Sequence, residues 1–305
     1  MLDLDHDALD LCLDLAAAMK RDRPLGRRAP TSSALAGRHV ALLFEKPSLR
    51  TRCTFEVAVH ELGGEVLSPP AGAVFGGREA PADVARNLER WVAAAVVRTF
   101  GQDRLVAFAR AAPRLHVINA LTDEEHPCQA LADLFTLRER LGDLRGRTIA
   151  YVGDGNNVAT SLVHAGLMLG VHVRVASPEG FEVPASVIDA ARGVARHGAS
   201  VRLLREPHAA VREADAVYTD VWTSMGQEEQ AETRRGCFVP YQVNAELMAA
   251  APAQAVLMHC LPAHRGEEVT DEVLDGPASV VFDQAENRLH TQKALLHLLL
   301  TEREQ

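Results

Sequence analysis

A cluster of cations and hydroxyls is the stretch of this sequence whose residue types point most directly to chemistry. The stretch FEKPSLRTR lies between an apolar run and a helical pattern, and it contains Lys46, Ser48, Arg50, Thr51 and Arg52. A helix N-terminus carries partial positive charge and unpaired backbone donors, so it binds phosphate readily. Arginines in a first turn oppose the helix dipole, which favours a role for them with an anion. The sequence therefore predicts an anion site here, with Arg50 and Arg52 as bidentate donors.

Three more polar residues stand next to apolar runs in the first half of the chain. Arg98 ends the run AAVVR, and His126 and Gln129 lie in HPCQ, which opens a helical pattern after LHVINA. Taken singly, Ser48 could be an ordinary helix cap, Arg98 a surface ion-pair residue and His126 a structural histidine. Because the carboxyl ends of parallel strands share one edge of a sheet, we expect these residues to converge on one crevice.

Short apolar runs alternate with amphipathic stretches along the chain, which is typical of an α/β fold. The predicted strands are HVALLFE, AAVVRTF, LHVINA, TIAYVGDG, VHVRVASP, SVRLLR, DAVYTDVW, AVLMHCLP and ASVVFDQ. The polar stretch LGDLRGR predicts a domain boundary, and the apolar helical pattern from about residue 286 predicts a C-terminal helix. We predict two doubly wound parallel-sheet domains, 1–141 and 142–285, with the C-terminal helix (about 286–305) returning to the first domain.

Composition excludes several classes of function. The net charge of −9 and the pI of about 5.8 argue against a general nucleic-acid-binding face. No apolar run is long enough for a membrane span, and the acidic N-terminal stretch lacks the features of a signal peptide, so a cytoplasmic location is expected. The 5 cysteines form no C-x-x-C pair and the 13 histidines show no metal-ligand spacing, so neither a disulfide framework nor a metal site is expected.

Several motifs, in order along the chain, resemble those of the aspartate/ornithine carbamoyltransferase family. SLRTR and HPCQ are similar to the carbamoyl phosphate motifs S-x-R-T-R and H-P-x-Q, and DVWTSMG and MHCLPAHRG resemble the ornithine-using branch. GDGNN and FDQAENRLHTQKALL agree with this resemblance, which covers nearly the whole chain. It implies transfer of a carbamoyl group to the δ-amine of ornithine, no metal or organic cofactor, and a homotrimer or a multiple of trimers.

The resemblance also implies roles for individual residues. Those expected to contact carbamoyl phosphate are Ser48, Leu49, Arg50, Thr51, Arg98, His126, Gln129, Cys260, Leu261 and Arg288. Those expected to be catalytic are Thr51, Arg98, His126 and Cys260, with the first three polarising the carbamoyl oxygen. Those expected to hold the α-amino and α-carboxylate groups of ornithine are Asn157, Asp220, Ser224 and Met225. Cys260 is expected to assist at the δ-amine, as a thiolate tuned by nearby cations.

The chain departs from the family pattern at Val74, where a glutamine usually reaches carbamoyl phosphate from a neighbouring subunit. Either Arg78 or another group replaces it, or the contact is absent. Three alternatives stay open: putrescine or N-acetylornithine as the amine, an inactive carbamoyl-phosphate-binding homologue, and a nucleotide-binding dehydrogenase. The last rests on YVGDGNNV, in which Val158 occupies the place of the third glycine of a dinucleotide fingerprint.

Overall fold

The structure is a computed structural model, and it describes residues 1–70, 74–77, 79–223, 229 and 231–301. The chain divides into two compact units. The first unit comprises Asp7–Phe135 and Asn287–Gln305, and the second comprises Met1–His6 and Thr136–Glu286. The predicted domain limits at residues 141 and 286 stay a prediction.

The first unit holds a parallel sheet with strand order β2-β1-β3-β4. Its strands are β1 (His39–Phe44), β2 (Glu65–Leu67), β3 (Ala94–Arg98) and β4 (His116–Leu121). The helices lying wholly or mainly in this part of the chain are α1 (His6–Asp22), α2 (Leu49–Glu61), α3 (Pro81–Leu88), α4 (Gln102–Ala111) and α5 (Pro127–Leu141). The central strand β3 is buried at every position, as expected for a parallel sheet covered on both faces.

The second unit holds a parallel sheet with strand order β7-β6-β5-β8-β9. Its strands are β5 (Thr148–Val152), β6 (His172–Ala176), β7 (Val201–Leu204), β8 (Ala216–Thr219) and β9 (Val256–His259). Its helices are α6 (Asn157–Met168), α7 (Ala185–Val194), α8 (Pro207–Val211), α9 (Ala231–Phe238), α10 (Ala245–Ala249) and α11 (Asp271–Leu274). In each sheet the strand order reverses once, which confirms the predicted doubly wound class.

The C-terminal helix begins earlier than its sequence pattern predicts. It is α12 (Val281–Thr301), whereas the prediction started it at about residue 286. The predicted strand ASVVFDQ is wrong, because Ser279 makes only an isolated bridge to Leu257 before the helix begins. A short apolar run of this kind cannot be told from the first turn of a buried helix by its periodicity. No helix among the described residues is long and apolar enough to span a membrane.

Candidate active site

The sheet of the first unit brings the ends of three strands to one edge. Strands β1, β3 and β4 are neighbours, and Phe44 at the end of β1 pairs in register with Arg98 at the end of β3. His126 follows β4 and directly precedes α5. All strands here are parallel, so their carboxyl ends share the edge at which α/β proteins bind ligands.

Ser48 occupies the N-cap position of α2 without using its side chain as a cap. Its backbone is extended, with φ −159°, and its hydroxyl makes no capping hydrogen bond. The next two residues, Leu49 and Arg50, open the first turn of the helix, and Leu49 is 76% exposed. The hydroxyl of Ser48 is therefore available to a ligand at a helix N-terminus, unlike that of an ordinary capping serine.

Arg288 of α12 joins two of the predicted residues. Its guanidinium is buried and donates to Oε1 of Gln129 at 2.6 Å and to Oγ1 of Thr51 at 2.7 Å. The amide nitrogen of Gln129 in turn donates to Oδ1 of Asp133 at 2.8 Å. The structure thus brings together the starts of α2 and α5 through one charged side chain of the last helix.

His126 is a buried histidine surrounded by positive charge. Burial holds the pKa of its imidazole well below the usual value, and the charges of Arg288, Arg98 and Arg50 lower it further. Arg98 is itself buried, being 6% exposed. The imidazole is therefore neutral near pH 7, and it can donate one hydrogen bond without carrying a positive charge.

Two of the three cations in the FEKPSLRTR stretch have other partners. Lys46 is buried, pairs with Asp123 and lies 4.3 Å from the ring centre of Phe100. Arg52 donates to Oγ of Ser68 and lies over the ring of Phe44. Because these contacts engage the guanidinium of Arg52, it is not available for the predicted bidentate contact with an anion. Arg50 is then the residue of this turn whose charge can bind the anion.

In the second unit, a carboxylate, a thiol and an amide meet at the ends of three adjacent strands. Asp220 follows β8 and is buried. Its Oδ1 accepts hydrogen bonds from Sγ of Cys260 at 2.9 Å and from the amide of Val221 at 2.8 Å. Its Oδ2 accepts one from Nδ2 of Asn156 at 2.8 Å. These donors fix the carboxylate in one orientation.

The contact with Asp220 bears on the ionisation of Cys260. A carboxylate 2.9 Å from the sulfur accepts the thiol hydrogen and repels a thiolate. A carboxylate at this distance opposes ionisation of the thiol, and the thiolate expected from the sequence stays a prediction. A thiol in this arrangement can position the carboxylate, whereas a nucleophilic role would need a cation beside the sulfur.

Asn156 is a site residue that the sequence analysis missed, since it selected Asn157. Its Oδ1 caps α6 by accepting from the amides of Val158 and Ala159, at 3.0 and 3.2 Å, while its Nδ2 holds Asp220. Asn157 is the first residue of α6. An asparagine directly before a helical pattern is a favoured N-cap, and that signal could have identified Asn156.

Five further positions were singled out from the sequence. Ser224, Met225 and Arg78 lie outside the described residues. Leu261 directly follows Cys260 and has a positive φ of 56°. Val74 is buried in an apolar cluster of the first unit that includes Leu43. Valine at this position therefore packs into the core of its own chain.

A buried ion pair lies close to Asp220. Asp154 pairs with Arg234, whose Nε also donates to the carbonyl of Trp222 at 2.6 Å and whose guanidinium lies 4.7 Å from the ring centre of Phe181. Burial raises the pKa of Asp154 to about 6, Arg234 opposes this shift, and Asp220 adds to it. Desolvation of the carboxylate thus outweighs its attraction to the arginine.

We expect Asp154 to make stability depend on pH. Its pKa is raised, so the folded protein holds this proton more tightly than the unfolded chain, whose carboxyl titrates near 3.8. The resulting stabilisation is complete below that value and is lost as the pH rises through about 6. In urea unfolding, the stability of the parent relative to Asp154→Asn should fall from about pH 4 to pH 6.5 and then stay constant.

Asp143 provides the matched control. Its carboxyl is exposed, and Arg145 lowers its pKa to about 2, so it stays ionised throughout the same range. Stability relative to Asp143→Asn should rise only slightly near pH 4, where the unfolded carboxyl still binds a proton, and stay constant above it. If the difference in stability between the parent and Asp154→Asn is also constant from pH 4 to pH 6.5, the pKa of Asp154 is not raised in the folded protein.

Two groups of potential metal ligands occur among the described residues. They are Asp220, His259 and Cys260, and His264, Glu267 and Glu268. In the first group, both ring nitrogens of His259 already form hydrogen bonds, to Glu268 and to the amide of Leu261. In the second, one oxygen of Glu268 accepts two hydrogen bonds. Because both nitrogens of His259 are engaged, the first group fits hydrogen bonding better than metal ligation, whereas Oε2 of Glu268 in the second group has no hydrogen-bond partner among the described residues.

The glycine-rich turn after β5 does not resemble an open dinucleotide site. A Cβ added at Gly155 would lie 2.3 Å from the backbone nitrogen of Val183, and the amide of Gly155 donates to the carbonyl of Phe181 at 2.8 Å. This glycine is needed for close packing against its own chain. In a dinucleotide fingerprint, the corresponding glycine allows a pyrophosphate to approach.

Comparisons with known proteins agree along nearly the full length of the chain. A family model described as "Aspartate/ornithine carbamoyltransferase, carbamoyl-P binding domain" matches residues 1–139, and one described as the "Asp/Orn binding domain" matches residues 145–299. A relative from Acidothermus cellulolyticus named ornithine carbamoyltransferase is 54% identical, covering 94% of this chain and 91% of that protein.

Solved structures show the same similarity. Ornithine carbamoyltransferase from Pyrococcus furiosus has a TM-score of 0.94 and 47% identity, covering 99% of this chain and 96% of that one. Anabolic ornithine carbamoyltransferase from Campylobacter jejuni has a TM-score of 0.90 and 32% identity, covering 99% of this chain and 97% of that one. The fold is therefore similar even where the sequence identity falls to 32%.

Proposed function

The chain belongs to the aspartate/ornithine carbamoyltransferase family, and from that premise we propose that it transfers the carbamoyl group of carbamoyl phosphate to the δ-amine of L-ornithine. The products are L-citrulline and phosphate. The observation that carries the proposal is the cluster around neutral His126, in which Arg288 bonds Thr51 and Gln129, and Arg98 and Arg50 add charge. A small dianion with a polarisable carbonyl group suits this set of donors.

Carbamoyl phosphate is bound, in this proposal, at the N-terminus of α2. The phosphate accepts hydrogen bonds from the hydroxyl of Ser48, the amides of the first turn and the guanidinium of Arg50. The carbamoyl amide is held by Gln129, whose Oε1 keeps a second lone pair besides the one that accepts from Arg288. The free hydroxyl of the N-cap serine and the exposed first turn support this assignment.

The carbonyl oxygen becomes an oxyanion when the amine attacks the carbamoyl carbon. Thr51, Arg98 and His126 stabilise this charge, and a single preorganised donor of this kind is worth about 3–4 kcal/mol. The imidazole serves as a neutral donor because its pKa is held low. The tetrahedral intermediate then collapses, the C–O bond to phosphate breaks, and the leaving oxygen takes up the proton that the attacking nitrogen loses, so that phosphate departs as the hydrogen phosphate dianion.

Ornithine is held in this proposal by the second unit. Asp220 pairs with the α-ammonium group, and Asn157, Ser224 and the amide of Met225 complete the recognition of the amino-acid end. The δ-amine, whose pKa in water is about 10, must lose a proton before it attacks. Cys260 contacts Asp220 directly, so in this proposal it also helps to orient the carboxylate that pairs with the α-ammonium group.

The choice of amine is the most informative test. We expect ornithine to exceed putrescine, N-acetylornithine and aspartate in kcat/KM by about 1000-fold or more, because putrescine and N-acetylornithine lack the α-ammonium group that pairs with the charge of Asp220, and aspartate has no δ-amine to attack the carbamoyl carbon. The assay is citrulline or carbamoyl-product formation with each amine at saturating carbamoyl phosphate. Comparable turnover of another amine would reassign the substrate. Stabilisation by carbamoyl phosphate without turnover of any amine would favour an inactive binding homologue.

The family also supports three broader proposals: a cytoplasmic location, assembly as a homotrimer and a role in arginine biosynthesis. Assembly is measured by light scattering on the purified protein, where a mass of three chains, or a multiple of three, is expected. Restored growth without arginine in a host lacking this activity tests the pathway. A monomer or an unrescued host would contradict the corresponding proposal.

A further inference from the structure

Three side chains of metal-ligand type meet in the second unit and have no part in the reaction as described. His264, Glu267 and Glu268 each offer one ligand atom, and these atoms lie within 4.8 Å of one another. The three residues stand in the connection between β9 and α11. The spacing of histidines gave no sign of this group, because it joins a single histidine to two carboxylates.

Glu268 is the buried member of the group, with a side chain that is 0% exposed. Its Oε1 accepts from the backbone amide of His264 at 2.6 Å and lies 3.1 Å from Nε2 of His259. Its Oε2 has no hydrogen-bond partner among the described residues. A buried carboxylate oxygen without a partner is costly, and a cation bound at Oε2 would remove that cost while Oε1 keeps both of its contacts.

Glu267 divides its two oxygens between different neighbours. Its Oε1 accepts from Nη2 of Arg235 at 2.6 Å, and its Oε2 lies 3.8 Å from Nδ1 of His264. In a tetrahedral zinc site, bonds of about 2.0–2.2 Å place neighbouring ligand atoms ~3.4 Å apart. The side chains of His264 and Glu267 are 51% and 34% exposed, so both have room to close this small difference.

The backbone that carries these side chains is fixed by hydrogen bonds. The amide of Glu267 donates to the carbonyl of His264, and the amide of Gly266 donates to that of Val269, both at 2.9 Å. Nε2 of Gln242 donates to the carbonyls of Gly266 and Glu267, at 2.9 and 2.8 Å. Binding of an ion would therefore need only side-chain rotation, as in a preorganised site.

The donor set decides which cation fits. One imidazole nitrogen and two carboxylate oxygens suit Zn²⁺, whereas Mg²⁺ and Ca²⁺ prefer oxygen ligands alone. We propose that His264, Glu267 and Oε2 of Glu268 bind one Zn²⁺, with a fourth position open to water. The ion stabilises the connection between β9 and α11. This inference does not rest on the proposed function.

Calorimetry of the chelator-treated full chain with zinc chloride tests the site directly. Glu268→Gln keeps an acceptor oxygen for the contacts of Oε1 and replaces Oε2 by an amide nitrogen, and His264→Ala removes the nitrogen ligand. Each should weaken zinc binding by at least about 100-fold, the upper end of what the loss of an outer-shell contact costs. His208→Ala, which removes another exposed histidine of the same unit, should leave the affinity unchanged.

The group of Asp220, His259 and Cys260 is the competing location for the ion. Cobalt(II) at one equivalent distinguishes the two, because a sulfur ligand adds a charge-transfer band in the near ultraviolet and nitrogen and oxygen ligands do not. We expect no such band, and Cys260→Ala should keep zinc affinity within about 3-fold of the parent value. A sulfur–cobalt band, or affinity lost in Cys260→Ala and kept in His264→Ala, would overturn the proposal.

Thermal unfolding provides a second readout. Zinc at about 100 times its dissociation constant should raise the unfolding midpoint of the parent and of Cys260→Ala by about 5 °C, and that of His264→Ala by less than about 1 °C. Because the side chain of His264 is half exposed, its removal leaves the core intact and keeps the test valid if Glu268→Gln does not fold. An equal rise in His264→Ala would refute the site.

Discussion

Arg50→Ala should abolish measurable binding of carbamoyl phosphate, with a loss of affinity of about 100-fold or more, because a charge-assisted bidentate contact to phosphate is removed at a helix N-terminus. Arg50 lies in the first turn of α2 and acts electrostatically on His126. Among the described residues no carboxylate forms a salt bridge with it, so its charge is available to a ligand. The binding is measured by calorimetry with carbamoyl phosphate or with inorganic phosphate.

Arg52→Ala is the matched control for this prediction. The two arginines stand two positions apart in the same helix, but Arg52 contacts Ser68 and the ring of Phe44. We expect its removal to change the affinity for phosphate by less than about 3-fold, since it costs a surface contact and leaves the anion site intact. If the two variants lose affinity equally, the anion is not bound where we place it.

Asp220→Asn should raise the KM for ornithine by about 100-fold or more while leaving the affinity for phosphate unchanged. The substitution keeps the size of the side chain but removes the charge that pairs with the α-ammonium group, and a broken buried charge pair costs about 3–5 kcal/mol. It also places an amide where Asp220 accepts from Asn156 and Cys260, which misaligns both. Initial rates at varied ornithine and saturating carbamoyl phosphate measure the effect.

Asp215→Asn provides a control at the opposite end of strand β8. Asp215 precedes β8 and binds Arg147 and the amide of Thr148, whereas Asp220 follows the strand at its carboxyl end. We expect Asp215→Asn to lower thermal stability and leave the KM for ornithine within about 3-fold of the parent value. A rise in KM that is the same for both carboxylates would indicate a general effect of destabilising the sheet.

The strand-turn-helix order of the chain was predictable because it depends on local patterns. The runs HVALLF and AAVVR became the central strands of the first sheet, and Pro127 opens α5 as expected. The prediction of secondary structure failed where an apolar run was short. At 278–284 the pattern suits a strand or a buried helix start, and packing of the C-terminal helix decided the outcome.

The residue types at the strand ends follow from the sequence, since motif spacing and hydrophobic period are local properties of the chain. Which of these residues act together depends on the packing of distant elements. The tertiary structure paired Lys46 with Asp123, made Asn156 the holder of Asp220, and brought Arg288 to Thr51 across a separation of 237 residues. Such contacts depend on how distant elements pack and on which partner satisfies each buried charge, and neither is written in the spacing of neighbouring residues.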